Sequence, residues 1–170
     1  WVGNDGTFST PSTLTIPRGS PASLTVGINP GPGEHSAILN LDDPSTVGID
    51  YQTMNVVVAP FEFTAANSFT VTNSGTVGRN QVKHYFFRVP AGTPAFKVDF
   101  AGPDGSANTG QARFVRFHPF GVNIDDNAST NCYSPPPPGG GCGGGTPNSR
   151  TQSNPQAGVW EVVVEARRTS

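Results

Sequence analysis

Residues 82–89 read VKHYFFRV, a run in which five of the eight residues are valine, tyrosine or phenylalanine. β-Branched and aromatic residues favour strands over helices. Similar runs recur along the chain between segments rich in glycine, proline, asparagine and aspartate, which are the usual turn formers. Since no segment keeps a helical period over ten residues or more, the sequence predicts an all-β protein made of antiparallel β-sandwiches.

The apolar runs predict strands in two series, of which the first forms an antiparallel meander. The predicted strands cover residues 12–16, 22–28, 35–41, 54–59, 68–74, 82–89, 95–101, 111–117 and 158–166. Residues 111–117 place apolar side chains on both faces, so this strand is expected to be covered on both sides or to lie near an edge. Residues 118–157 carry almost no strand signal and are predicted to form a long loop, which is uncommon without a function or some disorder.

Composition and charge limit the classes of partner. Hydrophobic residues make up 34% and charged residues 13% of the 170 residues, enough for one ordinary core or two small ones. The net charge of −2 offers no basic field for a nucleic acid. No apolar run approaches the roughly 18 to 20 residues that cross a bilayer, so no membrane partner is expected. The first ten residues lack the regions of a signal peptide, and we expect a soluble, already trimmed piece.

The chain's two cysteines enclose the stretch CYSPPPPGGGC, residues 132–142. Because they do not form a metal-binding CxxC pair, they fit an oxidising compartment better than the cytosol. We predict a disulfide between Cys132 and Cys142 that staples this loop in a secreted, extracellular protein. Two free buried thiols are the alternative, although the glycines around Cys142 leave it few apolar neighbours.

Four motifs in the first sixty residues follow one another in an order typical of fibronectin-type-III-like domains. They are PSTLTI (11–16), LTV (24–26), GEHSA (33–37) and VVVAP (56–60). The stretch 8–60 resembles the C-terminal half of the domain of this kind that follows the catalytic domain in many subtilisin-like serine peptidases. The resemblance implies that residues 1–60 are the C-terminal part of a fibronectin-III/Ig-like β-sandwich.

Residues 83–102, KHYFFRVPAGTPAFKVDFAG, contain the hairpin pattern F-x-V-P-x-G-x-x-x-[FL]-x-V. This pattern is similar to one in the jelly-roll modules of secreted bacterial peptidases and of the tripeptidyl-peptidase-II-like branch of the subtilisin-like family. The resemblance implies that residues 61–170 form a jelly-roll-like β-sandwich, with a long Pro/Gly-rich loop at 118–157.

The same resemblance implies a function. It indicates a non-catalytic accessory region of a secreted subtilisin-like serine peptidase, which stabilises the parent or positions protein substrate. Catalytic domains of this family carry a G-T-S-M-[AS] turn at the nucleophile, and this sequence has no such turn. We therefore predict that the chain is not itself an enzyme. Its expected partners are the catalytic domain or an upstream fragment of the parent, or another copy of the chain.

Two other function classes remain open. Aromatic residues in a jelly-roll-like module favour a carbohydrate- or cell-surface-binding role, and the Pro/Gly-rich loop favours a structural surface or filament subunit. The candidate ligand-binding residues are Phe117, His118, Phe120 and Tyr133. Exposed aromatic side chains along one face would support a binding module.

The predicted function requires no cofactor, and calcium is the one candidate. Asp125, Asp126 and Asn127 place side-chain oxygens together in a predicted turn, and calcium prefers oxygen ligands. Aspartate and asparagine are also ordinary turn formers, so a turn without metal is the alternative.

The first sixty residues supply only four or five strands, whereas a sandwich of the fibronectin type needs about seven. We therefore expect residues 1–60 to be the second half of a domain. Its apolar strand faces would then be covered by another polypeptide segment or another copy of the chain.

Mass analysis before and after reduction tests the disulfide prediction. A non-reduced digest should contain a peptide pair linked through Cys132 and Cys142, and reduction should separate the two peptides. If both thiols of freshly isolated protein react with an alkylating reagent before reduction, the loop is not stapled.

Overall fold

The computed structural model describes residues 1–101, 110–125, 133 and 149–166. The predicted all-β fold class is confirmed, since antiparallel sheets make up nearly all the regular structure. The strands are β1 (Phe8–Ser9), β2 (Gly27–Ile28), β3 (Gly33–Leu41), β4 (Tyr51–Ala59), β5 (Phe61–Glu62), β6 (Val82–Val89), β7 (Ala95–Asp99), β8 (Ala112–Phe117), β9 (Ser149–Ser153) and β10 (Gly158–Ala166). A single-turn 3-10 helix occupies Ala65–Asn67. Within these described ranges no helix is long and apolar enough to span a membrane.

The chain divides into two compact units, Trp1–Ala59 and Pro60–Ser170. In the first unit β3 and β4 form a nine-residue antiparallel ladder, from Gly33 opposite Ala59 to Leu41 opposite Tyr51. The short strands β1 and β2 pair separately. The buried side chains of this unit are Thr7, Phe8, Ala37 and Leu39. The first unit therefore has only a small core of its own.

One face of β4 is exposed and apolar. Met54, Val56 and Val58 alternate along the strand and are 71%, 64% and 41% exposed. Successive side chains of a strand point to opposite faces, and the intervening Thr53, Asn55 and Val57 are half-buried. We call Met54, Val56 and Val58 the β4 apolar face.

The second unit is a two-layer sandwich. Its larger sheet has the strand order β5-β6-β10-β8, and its smaller sheet pairs β7 with β9. Phe96 of β7 lies edge-on to Phe87 at 5.3 Å and to Trp160 at 4.8 Å between ring centroids. Trp160 is 1% exposed, and its indole N–H donates to the carbonyl of Gln156 at 2.8 Å. Aromatic packing between the sheets thus forms the centre of this core.

The strand β8 lies at an edge of the larger sheet, as the pattern of residues 111–117 indicated. Its side chains at Ala112 and Phe114 are buried on one face, and Val115 is buried on the other. The prediction that this strand is covered on both sides or near an edge is consistent with both observations.

Three predicted strands are wrong. Residues 12–16 and 68–74 form no strand, and residues 22–28 contribute only Gly27–Ile28. Alternation of apolar and polar residues favours an extended chain, but a strand also needs a neighbouring backbone with which to exchange hydrogen bonds. Among the described residues, 12–16, 22–26 and 68–74 find no such partner, and Ile16 is exposed.

Three strands were missed: the two-residue strands β1 and β5, and the longer β9. The β9 segment SRTQS lies inside the predicted loop 118–157 and has no apolar residue, so it gives no strand signal. It forms because β7 offers a free edge, and the pairing runs from Ala95 opposite Ser153 to Asp99 opposite Ser149. The two cysteines of the predicted disulfide lie outside the described residues.

Truncation of Trp160 tests the assigned core. Trp160→Ala should lower the free energy of unfolding of the second unit by about 3–5 kcal/mol, because it removes a buried indole and leaves a cavity. Urea unfolding followed by circular dichroism measures the loss. The matched control is Phe120→Ala, since Phe120 is 75% exposed and its removal should change stability by less than about 0.5 kcal/mol. Equal effects of the two variants would contradict the core assignment.

Candidate functional site

A buried cluster of two arginines and one aspartate joins the two sheets of the second unit. Arg116 comes from β8, Arg150 from β9, and Asp125 from the segment that follows β8. Asp125 is 1% exposed, and both arginines are buried. Arg116 forms a bidentate pair with Asp125. Its Nε donates to Oδ2 of Asp125 at 3.0 Å, and its Nη2 donates to Oδ1 at 2.9 Å. Nη1 of Arg150 lies 3.1 Å from Oδ2.

Backbone and aromatic groups hold this cluster in place. The backbone N–H of Arg116 donates to Oδ2 of Asp125 at 2.9 Å. Arg150 donates to the carbonyl of Phe114 at 2.9 Å, and its guanidinium lies 4.1 Å from the centre of the Phe114 ring. The Nη1 atom of Arg116 is buried without an acceptor among the described residues. The carboxylate of Asp125 and the guanidinium of Arg150 are therefore paired inside the second unit.

The pKa shifts follow from burial and from the neighbouring charges. Burial alone would raise the pKa of Asp125. Hydrogen bonds from Arg116 and the charges of Arg116 and Arg150 outweigh this and hold the pKa below its ordinary value of 3.8. Burial lowers the pKa of Arg150, while the charge of Asp125 opposes that shift. The aspartate is therefore ionised at neutral pH.

This arrangement bears on the calcium prediction without testing it. Both oxygens of Asp125 are already bound by guanidinium groups, and a cation would have to compete with them. Asp126 and Asn127 lie outside the described residues. Within the described part of the chain, no group of three or more His, Cys, Asp or Glu side chains could hold a metal ion. The calcium site stays a prediction.

The predicted ligand-binding residues fall in two places. The ring of His118 lies 5.3 Å from Phe120 and 5.3 Å from Trp160, so His118 joins the exposed Phe120 to the core. Phe117 precedes this turn and lies opposite Glu161 in the sheet.

Tyr133 lies elsewhere on the sheet. Its hydroxyl donates to Glu165 at 3.0 Å, and Arg113 lies over its ring at 5.2 Å. Arg113 is four residues before Phe117, which corresponds to about 13 Å along a strand. The structure therefore groups His118 with Phe120 and places Tyr133 apart from them.

Sequence reasoning missed Arg116 and Arg150. Arg116 lies two residues after Phe114, so both side chains are on the same face of β8. A charged residue at such a core-facing strand position indicates a buried partner. Arg150 gave no comparable signal, because its strand is polar throughout.

A histidine of the first unit has a hydroxyl and a carboxylate beside it. The Nδ1 atom of His35 lies 2.9 Å from the hydroxyl oxygen of Thr7 and 2.6 Å from Oδ2 of Asp5. In a catalytic triad the hydroxyl and the carboxylate contact different ring nitrogens. Here both contact the same nitrogen, and Nε2 lies 2.8 Å from the carbonyl of Gly31. These three residues are therefore not arranged as a nucleophile and base.

Comparison with known proteins finds similarities that fall on the first unit. Residues 1–59 match the family model of the Ig-like domain in actinomycete serine proteases. A curated relative, pyrolysin of Pyrococcus furiosus, is 38% identical over 61 residues. That match spans 36% of this chain and 4% of the length of pyrolysin. No solved structure matches the chain at a significant level.

These matches confirm the resemblance to the accessory region of subtilisin-like serine proteases. They support an accessory role in a protease for the Ig-like unit.

Neutralising Asp125 tests the buried cluster. Asp125→Asn should lower the free energy of unfolding at pH 7 by about 3–5 kcal/mol, because two buried guanidinium groups lose their counter-charge. The folded-state pKa is lowered, so the wild-type contribution is present above pH 3.8 and is lost as pH falls through the lowered value. The difference between wild type and variant should therefore shrink in acid.

The matched control is Asp99→Asn. Asp99 is an exposed carboxylate that pairs with Lys97 in the same unit, so its neutralisation should cost much less at pH 7. Denaturant unfolding at several pH values measures both variants. If Asp99→Asn lowered the free energy of unfolding as much as Asp125→Asn does, the buried cluster would contribute no more than an exposed charge pair.

Proposed function

We propose that this chain is a non-catalytic accessory region of a secreted subtilisin-like serine peptidase, and that it stabilises the parent protein. The match of residues 1–59 to the Ig-like domain in actinomycete serine proteases carries the proposal. The similarity to pyrolysin points the same way. Positioning of protein substrate is the other form that an accessory role could take.

The β4 apolar face supplies the physical basis for stabilisation. Full burial of a valine or methionine side chain contributes about 1.5–3 kcal/mol. Contiguous exposed apolar side chains mark interaction sites on soluble proteins. We infer that the catalytic domain, or another segment of the parent protein, covers Met54, Val56 and Val58.

The free edge of β4 strengthens this inference. Residues 51–59 read YQTMNVVVA and contain no charged residue, proline or glycine, and among the described residues β4 is hydrogen-bonded to β3 alone. Natural edge strands usually carry such residues to prevent pairing with other chains. An uncharged edge next to an apolar face suits an extended partner segment.

A carbohydrate- or surface-binding role is the second candidate. The exposed Phe120 beside His118 favours it, because exposed aromatic rings stack on sugar faces. The opposing observation is that Phe117 and Tyr133, the other candidate aromatics, do not share this turn.

Substitution of the β4 apolar face tests the proposal. The complete open reading frame that contains this chain is expressed as wild type and as the triple variant Met54→Ser, Val56→Thr, Val58→Thr. The half-life of peptidase activity at raised temperature should fall at least about tenfold, because the loss of apolar burial exceeds 1.4 kcal/mol. The matched control is Phe120→Ser with Val122→Thr, two exposed apolar residues of the second unit, and it should leave the half-life unchanged.

The same proteins separate the two forms of the accessory role. Stabilisation leaves KM for casein unchanged at low temperature, whereas substrate positioning raises KM for casein but not for a short peptide. An unchanged half-life in the triple variant would refute stabilisation through this face. An open reading frame without a peptidase domain would refute the proposed function itself.

A further inference from the structure

His35 connects three parts of the first unit. It lies on β3, and both of its ring nitrogens have oxygen atoms within hydrogen-bonding distance. Nδ1 faces Asp5 at 2.6 Å, and Nε2 faces the backbone carbonyl of Gly31 at 2.8 Å. The N-terminal segment, the turn before β3 and β3 itself therefore meet at one imidazole ring.

The partners of His35 determine its charge. A backbone carbonyl only accepts hydrogen bonds, so Nε2 must carry a proton to bond Gly31. An ionised carboxylate also only accepts, so Nδ1 must carry a proton to bond Asp5. With both nitrogens protonated, the ring is an imidazolium cation.

We propose that His35 is a pH-sensitive clamp, which in its protonated form holds the N-terminal segment 1–9 against the β3–β4 hairpin. Loss of the ring proton removes one of the two hydrogen bonds together with the ionic attraction to Asp5. The deprotonated Nδ1 can then only accept, and the Thr7 hydroxyl 2.9 Å away can donate to it. The segment thus keeps one neutral hydrogen bond to the ring, its backbone contacts to the hairpin and its packing, but loses the charged contact to Asp5. The clamp is independent of the proposed accessory role.

Other contacts of the N-terminal segment depend on the pairing of Asp5 with His35. Asp5 also accepts from the backbone N–H of Thr7 at 3.1 Å, so the carboxylate fixes the loop as well as the histidine. Val2 and Ile38 exchange two backbone hydrogen bonds, of 2.8 and 3.0 Å. The segment carries Phe8, one of the few buried apolar residues of the unit, with Trp1 stacked on it at 5.5 Å. Release of the segment would therefore open the small core.

The charged surroundings of His35 are simple. The N-terminal segment contributes Asp5, and the turn before β3 contributes the uncharged Gly31. On β4 the residue opposite is Val57. Glu34, the neighbour on β3, points to the other face of the hairpin. Asp5 is thus the charged group that faces the ring.

The pKa shifts agree with this geometry. The hydrogen bond to Asp5, and then that to Gly31, raise the pKa of His35 above its ordinary value of 6.5. Hydrogen bonds from Thr7 and His35 lower the pKa of Asp5 to about 2. Because the folded pKa of His35 is raised, its contribution is complete below pH 6.5 and is lost as pH rises through the folded value. The contribution of Asp5 is complete above pH 3.8 and is lost toward pH 2.

Amide hydrogen exchange between pH 5 and 9 tests the clamp. Ile38 donates to the carbonyl of Val2, and Asn29 donates to the carbonyl of Thr7, so both amides report on the N-terminal segment. After correction for intrinsic exchange, their protection should fall as His35 loses its proton. The ratio between the two plateaus should equal ten raised to the difference between the folded and open pKa values of His35.

Substitutions identify the side chain whose titration causes the change in amide protection. His35→Gln should abolish the pH transition, and Asp5→Asn should move it to lower pH and reduce its size. Asp99→Asn is the matched control, since it neutralises an exposed carboxylate of the second unit and should leave the transition intact. A transition that persists in His35→Gln would overturn the proposal.

A second measurement decides the matter even if His35→Gln fails to fold. Nitrogen-15 chemical shifts of the His35 ring in the wild-type chain report protonation of each nitrogen. At pH 6.5 both nitrogens should be mostly protonated, whereas an unperturbed histidine would be half-protonated. A neutral ring at that pH, or protection that stays flat from pH 5 to 9, would refute the clamp.

Discussion

Asp125 lies between two arginines that belong to different sheets of the second unit. Arg116 reaches it from the larger sheet and Arg150 from the smaller one. Taking three charges out of water costs several kcal/mol per ion, and only good geometry offsets that cost. The bidentate pair, the backbone N–H of Arg116 and the Phe114 carbonyl provide it. This carboxylate therefore helps to hold β9 against the larger sheet.

The surrounding core accommodates this cluster without losing its apolar character. The Arg150 guanidinium stacks on the ring of Phe114, so a charged group also acts as a flat packing surface. On the opposite face of the larger sheet, His84 pairs with Glu161 at 2.5 Å and Arg113 pairs with Glu165 at 2.5 Å. Charge pairs thus occupy both faces of this sheet, beside buried valines and aromatic rings.

The two units achieve order in different ways. The second has interlocking aromatic side chains between two sheets, whereas the first has four buried residues and a hairpin with an exposed apolar face. A domain with so small a core gains much from contacts with a partner.

The sequence by itself determined the all-β class, the strands β3, β4, β6, β7, β8 and β10, and the resemblance to protease accessory regions. These features depend on local composition: runs such as VKHYFFRV and GVWEVVVEA favour extended backbone whatever lies beside them. Only the tertiary structure decided which segments found a partner edge. PSTLTI has the strand pattern but no ladder, while the polar SRTQS pairs with β7. It also decided the Arg116–Asp125–Arg150 cluster and the clamp at His35, because hydrogen bonds between residues far apart in the chain exist only once folding brings those residues together.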